Sequence, residues 1–477
     1  MGNFDPRSCQ DRGREWRMSH CNCPFDDNVD LVSLDRDRLS LLFASSCKPI
    51  SAFKIGIEHE RFGVNKRNFD PVQYEGHDGV TGLFQEFVDR YGWEAQSEVP
   101  GGPVISLRRG TAAITLEPAA QFEFSGSPCV DLHTLEHERT IHANELRTIS
   151  NEKGIMWQAS GFHPFAKHEQ LSWVPKLRYG IMREYLATQG TDALEMMCRT
   201  ATVQANFDYC SIEDGLRKLR VALKISPIVS AMFANGPIVE GKPYGGKSRR
   251  IQTWLSVDPA RQGILPQMWS ENASLDAYID WGLDAPMFLF MRDGKAVKNT
   301  GQSFRSFILD GFGGYRAKLS DWTSHINTLF PEVRLKETIE TRGADSVPDR
   351  YATALPALWT GLLYDDTSLS KTEELTRDFC QEEMAELRTR LGDEGLNASY
   401  GGKSLIHWSE KLLSLAVEGL DRRGKLDDNG RTESVYLDEL TKLIGMGMCP
   451  ADEVMKELDG DYSRESIART TQVWQYQ

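Results

Sequence analysis

The sequence predicts an α+β fold, and three observations support this. Between about residue 36 and about residue 350, short segments with apolar side chains at alternate positions are interleaved with segments of helical periodicity. Beyond about residue 350 the helical pattern dominates, as in the amphipathic segments 370–391 and 404–420. A hydrophobic fraction of 40% and a charged fraction of 26% in 477 residues are typical of a globular chain with a sizeable core.

The chain divides into one long domain and two short ends. Residues 1–35 are polar and weakly periodic, which predicts a flexible N-terminal extension, and residues 466–477 are expected to form a C-terminal tail. A single domain is predicted over residues 36–465. The first 35 residues contain acidic side chains throughout, which suits neither a signal peptide nor a transit peptide, so the predicted location is cytoplasmic.

Charge and cysteine content narrow the class of function. A net charge of -14 and a pI near 5.3 argue against a nucleic-acid partner, which a basic surface would normally meet. No stretch approaches the roughly 20 consecutive apolar residues that a membrane helix needs. The 9 cysteines are an odd number at irregular spacing, so reduced thiols are expected. Small-molecule chemistry is the favoured class.

The first informative strand is KIGIEHERFGV, residues 54–64. Its apolar Ile55 and Ile57 point to one face, while Glu58 and Glu60 share the other, about 7 Å apart by the strand rise. Two carboxylates at that separation repel each other. A charged pair on a strand therefore needs either solvent or a counterion.

A second acidic strand is predicted in ITLEPAAQFEFSG, residues 114–126. There Glu117, Gln121 and Glu123 are expected on one face, with a bulge at Pro118. A third strand, TATVQANFD, places Gln204 and Asn206 opposite apolar neighbours.

The fourth strand is VRLKETIETRGAD, residues 333–345, with Lys336, Glu340 and Arg342 on one face. A solvated sheet surface would give the same alternation in any one of the four strands. Their recurrence favours polar faces that converge on one cavity. Carboxylates gathered there would be neutralised by a divalent cation with oxygen ligands, and Mg²⁺ in turn indicates phosphoryl transfer.

These segments closely resemble the plant-type glutamate–cysteine ligases, a sequence class that includes proteobacterial members. The resemblance runs in order from about residue 36 to about residue 465, and its motifs also include SLRRGTAAITLEPAAQFEFSGSP, PKLRYGIMREYL, FANGPIVEGKPYGG, FPEVRLKETIETRGAD and ALPALWTGLLYD. It implies a glutamine-synthetase-like fold, in which a curved antiparallel sheet forms a half-funnel and helices pack outside. The long domain would then be catalytic.

The resemblance also implies roles for individual residues. The Mg²⁺ ligands would be Glu58, Glu60, Glu117, Glu123 and Glu340. Arg342 would bind the transferred phosphoryl, and Arg250, or Arg249 if the match shifts by one, would be a second catalytic arginine. The implied substrate-binding residues are Gln204, Asn206, Arg178, Tyr179 and Trp254.

The implied reaction is the first step of glutathione biosynthesis. ATP would phosphorylate the γ-carboxylate of glutamate, and the amine of cysteine would then displace phosphate to give γ-glutamylcysteine. The partners are thus glutamate, cysteine and ATP, and a monomer or homodimer is expected. Two alternatives stay open: a related ligase that joins glutamate to another amine, and a non-catalytic homologue that kept the fold.

Three short motifs indicate other functions, but the sequence around each of them argues against that function. GKPYGGKS, residues 241–248, matches the phosphate-loop pattern, but Pro243 interrupts it and RRIQTWLSV after it is predicted to be extended. HTLEH, residues 133–137, matches an inverted zinc-protease signature without an evident third ligand. HCNC, residues 20–23, lacks a second pair of ligands at zinc-finger spacing.

Overall fold

The computed structural model describes residues 29–31 and 33–474. Most of the predicted N-terminal extension, and with it the HCNC motif, lies outside the described residues. Residue 31 belongs to the folded part, because Leu31 is buried and its amide donates to the carbonyl of Ala317 at 2.7 Å. The predicted boundary at residue 35 is therefore a few residues too late.

The strands of the described residues are short apart from the first. Their bounds are Ile55–Asn65 (β1), Glu94–Gln96 (β2), Ser106–Arg109 (β3), Ala112–Leu116 (β4), Phe122–Ser125 (β5), Ile155–Gln158 (β6), Val203–Phe207 (β7), Ile238–Val239 (β8), Lys242–Pro243 (β9), Gln262–Gly263 (β10), Leu289–Arg292 (β11), Lys295–Lys298 (β12), Phe330–Pro331 (β13), Val333–Leu335 (β14), Ile339–Thr341 (β15), Ser399–Tyr400 (β16) and Lys403–Ser404 (β17).

The helices are concentrated in the second half of the chain. Their bounds are Arg36–Ala44 (α1), Val80–Tyr91 (α2), Leu132–Lys153 (α3), Leu177–Leu186 (α4), Ala193–Arg199 (α5), Ile212–Met232 (α6), Arg249–Leu255 (α7), Leu275–Asp284 (α8), Phe304–Asp310 (α9), Leu319–Ile326 (α10), Asp349–Ala352 (α11), Ala354–Leu363 (α12), Asp366–Leu375 (α13), Gln381–Glu394 (α14), Leu405–Arg423 (α15), Asp438–Gly445 (α16), Pro450–Leu458 (α17) and Arg464–Thr470 (α18).

One antiparallel sheet organises the described part of the molecule. It contains nine strands in the order β14-β15-β7-β1-β5-β4-β3-β2, with β6 paired to the far end of β1. The central strand β1 thus has β7 on one side and β5 on the other. The α+β prediction, with helices dominant beyond about residue 350, is confirmed.

Helices cover one face of the sheet because its alternate residues are apolar. Ile55 and Ile57 of β1 are buried, as are Val203, Ala205 and Phe207 of β7. Helix α12, ALPALWTGLL, packs against β7, and every one of its residues is buried. Helix α6 packs against β14 and β15. The opposite face, which carries the polar residues, is left for the site.

Two segments predicted as single strands are hairpins. In residues 114–126 the chain turns between β4 and β5, where the amide of Glu117 donates to the carbonyl of Gln121 at 3.0 Å and Ala120 adopts a positive φ of 65°. In residues 333–345 the chain turns between β14 and β15 at Lys336, whose amide donates to the carbonyl of Thr338. Each hairpin keeps its polar residues on one face but places them on adjacent strands.

Two other local predictions are wrong. RRIQTWL is the helix α7, begun by Ser248, whose hydroxyl accepts from the amide of Ile251, so the segment is not extended. The predicted tail from residue 466 instead begins inside helix α18, where Ile467 is fully buried. The amphipathic pattern of α18 is only two turns long, which is too short to stand out in the sequence.

None of the described helices is both long enough and apolar enough to cross a membrane.

Candidate active site

A row of polar side chains crosses four neighbouring strands of the sheet. Glu60 of β1 is the direct cross-strand partner of Glu123 on β5, and Glu58 is the partner of Gln204 on β7. Asn206 in turn is the partner of Glu340 on β15. Directly opposed residues place their Cβ atoms roughly 5 Å apart on the same face. The polar faces of the four predicted strands therefore meet in one site.

Burial and repulsion from neighbouring acids disfavour the charged form of three of these acids. Burial, together with repulsion from Glu340 and Glu123, raises the pKa of Glu58 to about 7. Burial and repulsion from Glu117 and Glu123 raise the pKa of Glu60 well above its usual value, and the pKa of Glu123 is raised by burial and by Glu117. Repulsion at such short range is what a bound cation would relieve.

Glu340 differs, because cationic side chains surround it. Its Oε2 lies 2.6 Å from Arg334 Nη2 and 3.1 Å from Arg342 Nη1, and its Oε1 lies 3.1 Å from Lys336 Nζ. Burial pushes the pKa of Glu340 upward, but the attraction of Arg334, Lys336 and Arg342 outweighs it and the pKa is lowered. Both oxygens of Glu340 are thus already engaged.

The amide side chains connect the acids to Arg342. The Asn206 amide donates to Glu58 Oε1 at 2.9 Å and accepts from the Thr338 hydroxyl at 3.0 Å. Arg342 Nη1 donates to Gln204 Oε1 at 2.9 Å. Gln204 therefore orients the guanidinium of Arg342 at one end of the acid row.

Arg178 and Tyr179 lie at the other end of the row, beside the β4–β5 turn. The Tyr179 hydroxyl donates to the carbonyl of Leu116 at 2.8 Å, and the Arg178 guanidinium lies 5.3 Å from the Tyr179 ring centroid. Burial opposes the charge on Arg178, but Tyr179 and Glu117 attract it, and its pKa is raised. The predicted Arg-Tyr pair therefore faces Glu117, away from Arg342.

Arg250 and Trp254 belong to a pocket next to Arg342. The Arg250 guanidinium is buried, donates to the carbonyls of Arg342 and Gly343 at 2.8 and 2.9 Å, and lies 5.8 Å from the Trp254 ring centroid. Trp254 also packs edge-on against Phe330 at 6.1 Å. Arg249 points elsewhere, to Asp192 at 3.0 Å, so the geometry favours Arg250 over its neighbour.

The acid row fits a hard divalent cation by its donors. Glu58, Glu60, Glu117 and Glu123 offer carboxylate oxygens, which are the ligands that Mg²⁺ and Ca²⁺ prefer. Over the described residues, no three His, Cys, Asp or Glu side chains are already arranged around one point as a metal site. The case for a cation thus rests on charge and ligand chemistry.

Comparison with known proteins identifies the family. The model of "Glutamate-cysteine ligase family 2 (GCS2)" matches residues 54–473. The chain belongs to glutamate–cysteine ligase family 2. The chloroplastic glutamate–cysteine ligase of Arabidopsis thaliana is 38% identical over 434 residues, which cover 90% of this chain and 81% of the relative. That of Nicotiana tabacum is 37% identical over 445 residues, covering 92% and 83%.

A solved structure supports the same fold. The crystal structure of a glutamate–cysteine ligase from Francisella tularensis in complex with AMP has a TM-score of 0.53 at 12% identity and covers 89% of this chain and 90% of its own. Membership of the family confirms the predicted resemblance and the predicted enzyme class, an ATP-dependent glutamate–cysteine ligase.

The comparisons contradict the predicted cytoplasmic location. The relatives from Arabidopsis, tobacco and rice are named chloroplastic enzymes. The prediction was drawn from the acidic content of the first 35 residues. Acidic residues are atypical of signal and transit peptides, but they do not identify the compartment in which a folded ligase works. We withdraw it.

Two further residues of the candidate site, Arg334 and Lys176, were not predicted from the sequence. Arg334 pairs with Glu340 only because the hairpin places it across the strand. Lys176, just before α4, donates to the Leu116 carbonyl at 2.7 Å and faces Glu117. Burial lowers the pKa of Lys176, while Glu117 opposes that change. A lysine two positions before Arg178 was the available signal.

The competing motifs have structural roles. Within GKPYGGKS, Lys247 forms an ion pair with Asp452, and β8 and β9 form a hairpin instead of a buried strand. A helix, α7, does follow this motif, so the lack of a following helix no longer argues against a phosphate loop. Lys247, however, already forms its ion pair and is not free for a phosphate. Within HTLEH, His133 contacts the Tyr436 hydroxyl at 2.9 Å and Glu136 pairs with Arg139 at 2.8 Å.

Proposed function

We propose that the acid row is the catalytic centre of this ligase and that it binds Mg²⁺ together with ATP. The observation that carries the proposal is the direct opposition of Glu60 and Glu123 across adjacent strands, with Glu58 and Glu117 beside them. Burial and repulsion from neighbouring acids raise the pKa of Glu58, Glu60 and Glu123. The residues that would hold the ions are Glu58, Glu60, Glu117 and Glu123, with Glu340 as the fifth acid of the row.

The metal would supply charge neutralisation to the phosphate oxygens of ATP. The chain supplies the rest. Arg342 would bind the transferred phosphoryl group with its fork of N–H donors, because Gln204 and Glu340 fix its guanidinium in place. Asn206 would keep Glu58 oriented by its amide hydrogen bond. A preoriented arginine needs little rearrangement as charge develops on the phosphoryl oxygens.

The reaction proposed for this site has two chemical steps. An oxygen of the glutamate γ-carboxylate attacks the γ-phosphorus of ATP, and ADP leaves. The amine of cysteine then attacks the acyl carbon, phosphate leaves, and the amine loses its proton as the amide forms. Arg250 and Trp254 would hold glutamate in the pocket beside Arg342, and Arg178 with Tyr179 would contact ATP and cysteine at the other end.

Phosphate release from ATP by the purified protein tests this function. The expected result is release that requires Mg²⁺, glutamate and cysteine together, with one γ-glutamylcysteine formed for each phosphate. Release that continues without either amino acid would refute it. A panel of amines in place of cysteine measures the acceptor preference, for which cysteine is the proposed answer. A monomer or homodimer remains the expectation for its assembly.

A further inference from the structure

An ion pair that the sequence did not single out lies in the pocket beside Arg342. Glu332 Oε1 accepts from Arg388 Nη2 at 2.6 Å, and the two side chains are only 17% and 12% exposed. Both line the same pocket as Arg250, Trp254 and Arg342. Glu332 lies between β13 and β14, and Arg388 lies on α14.

The backbone fixes Glu332 at this position. Its amide donates to the carbonyl of Gly263 at 2.9 Å, and its carbonyl accepts from the amide of Arg342 at 3.0 Å. The second bond makes Glu332 an immediate neighbour of the arginine that would bind the phosphoryl group. The carboxylate is therefore held in place by main-chain bonds on both sides and by Arg388 at its tip.

The second oxygen of Glu332 points toward Gly343. A Cβ atom at position 343 would lie 2.7 Å from Glu332 Oε2 and closer still to the Ser230 hydroxyl. Among the described residues, no hydrogen-bond donor reaches Oε2, whereas Oε1 has Arg388. Gly343, which has no side chain, thus leaves room for Glu332 Oε2, an oxygen that can still accept hydrogen bonds.

The charges of the pocket match those of an amino acid with a second carboxylate. Three guanidinium groups, those of Arg250, Arg342 and Arg388, line it with one carboxylate, that of Glu332, the single acidic side chain among its described lining residues. Glutamate carries two carboxylates and one ammonium group. A positively charged pocket with one anionic point would bind its carboxylates and orient it by its amine.

We propose that Glu332 Oε2 binds the α-ammonium group of glutamate and that Arg388 is the positioning residue that holds Glu332 for this contact. The proposal rests on the proposed function and names the group that recognises its substrate. Glu332 then makes the pocket select amino acids over dicarboxylic acids of the same length. Nothing in the contact requires ATP or the metal to be bound first.

The test compares glutamate with glutarate, which is glutamate without its amine, as ligands of wild type and of Glu332→Gln. Loss of one charge-assisted hydrogen bond is expected to raise the KM and Kd for glutamate about 10- to 100-fold. The Kd for glutarate should stay unchanged, so that the ratio of the two affinities collapses. The KM values for ATP and cysteine should also stay unchanged.

Two further variants complete the design. Arg388→Met should weaken glutamate binding, but less than Glu332→Gln does, because Glu332 keeps its charge and loses only the side chain that holds it. The ratio of the affinity for glutamate to that for glutarate should again fall. If Glu332→Gln unfolds, this ratio in Arg388→Met decides the matter. Glu394→Gln removes a partner of Arg390 on the same helix, outside the pocket, and should change neither affinity.

The possible failures can be told apart. If wild type makes γ-glutamylcysteine but Glu332→Gln leaves the glutamate-to-glutarate ratio unchanged, the assignment of Glu332 is wrong and the proposed function stands. A rise confined to the KM for cysteine would also overturn the assignment. If wild type neither binds glutamate nor forms product, both the assignment and the proposed function fail.

Discussion

Glu60 and Glu123 face each other across adjacent antiparallel strands, and the charge of Glu123 helps to raise the pKa of Glu60. Like charges directly opposite each other destabilise a sheet. In this chain the pair lies between two more carboxylates, those of Glu58 and Glu117. The arrangement is unfavourable for folding alone, and the proposed divalent cation would offset the repulsion.

Removing one acid of the facing pair should abolish catalysis without weakening the fold. We expect Glu60→Gln and Glu123→Gln each to lower kcat/KM by about 100-fold or more, the scale of a lost electrostatic contact to the transition state. Without metal, the Tm of each variant should equal or exceed that of wild type, because repulsion is relieved. Steady-state kinetics and calorimetry measure the two effects. A variant that stays active and melts earlier would assign these acids to packing.

The stability of the metal-free protein should fall as pH rises. The folded-state pKa of Glu58, about 7, lies above its usual value of 4.5. The folded protein therefore keeps a proton that the unfolded chain has released, and the stability linked to it is present below about pH 4.5 and lost as pH rises through about 7. In EDTA, the Tm of wild type should drop across this window more than that of Glu58→Gln.

Magnesium supplies the control for this titration. Excess Mg²⁺ should restore the Tm of wild type at about pH 8, where the acids are ionised, and should have a smaller effect on Glu58→Gln. Parallel pH curves for the two proteins would show that Glu58 is not the responsible group.

Arg342 should act on the transition state more than on substrate binding. Its guanidinium is fixed by Gln204 and Glu340, so Arg342→Lys keeps a positive charge but loses the fork of donors. We expect kcat to fall about 100-fold with little change in the KM for glutamate or ATP. Gln204→Ala should cause a smaller loss of the same kind. An increase in KM at constant kcat would instead assign Arg342 to ground-state binding.

A buried ion-pair network beneath β1 should determine stability. Asp349 lies 2.8 Å from Arg139 Nη1 and 3.8 Å from Arg61 Nη2, and both guanidinium groups are almost fully buried. Asp349→Ala leaves two buried cations without this partner and should cost about 3–5 kcal/mol in the free energy of unfolding. Denaturant titration measures the loss. Lys442→Gln, which removes an exposed partner of Glu439, should leave the free energy of unfolding nearly unchanged.

The sequence was sufficient to predict the acidic face of the sheet. The two-residue period places Glu58 and Glu60 on one side of β1, and the fold confirms this because the buried side of the strand is apolar. The period could not show that residues 114–126 turn at Ala120, since a positive φ at a residue other than glycine has no clear signature in the sequence.

Pairs formed between distant segments were also out of reach. Glu332 and Arg388 are separated by 56 positions, and nothing in either segment indicates that β14 and α14 approach each other. The seven-residue helix α7 was mistaken for an extended segment because two turns give too few apolar positions to establish a period. The alternation of polar and apolar residues thus predicted which side chains share a face of one strand. The pocket itself depends on tertiary contacts that this alternation does not reveal.

A crystal structure with Mn²⁺ in place of Mg²⁺ and a non-hydrolysable ATP analogue tests most directly whether the acid row binds a divalent cation together with ATP. We predict anomalous peaks about 2 Å from carboxylate oxygens of Glu58, Glu60, Glu117 and Glu123, with the triphosphate completing the coordination. Peaks bound only by side chains elsewhere, with Glu60 and Glu123 pairing with protein cations or solvent, would contradict the account.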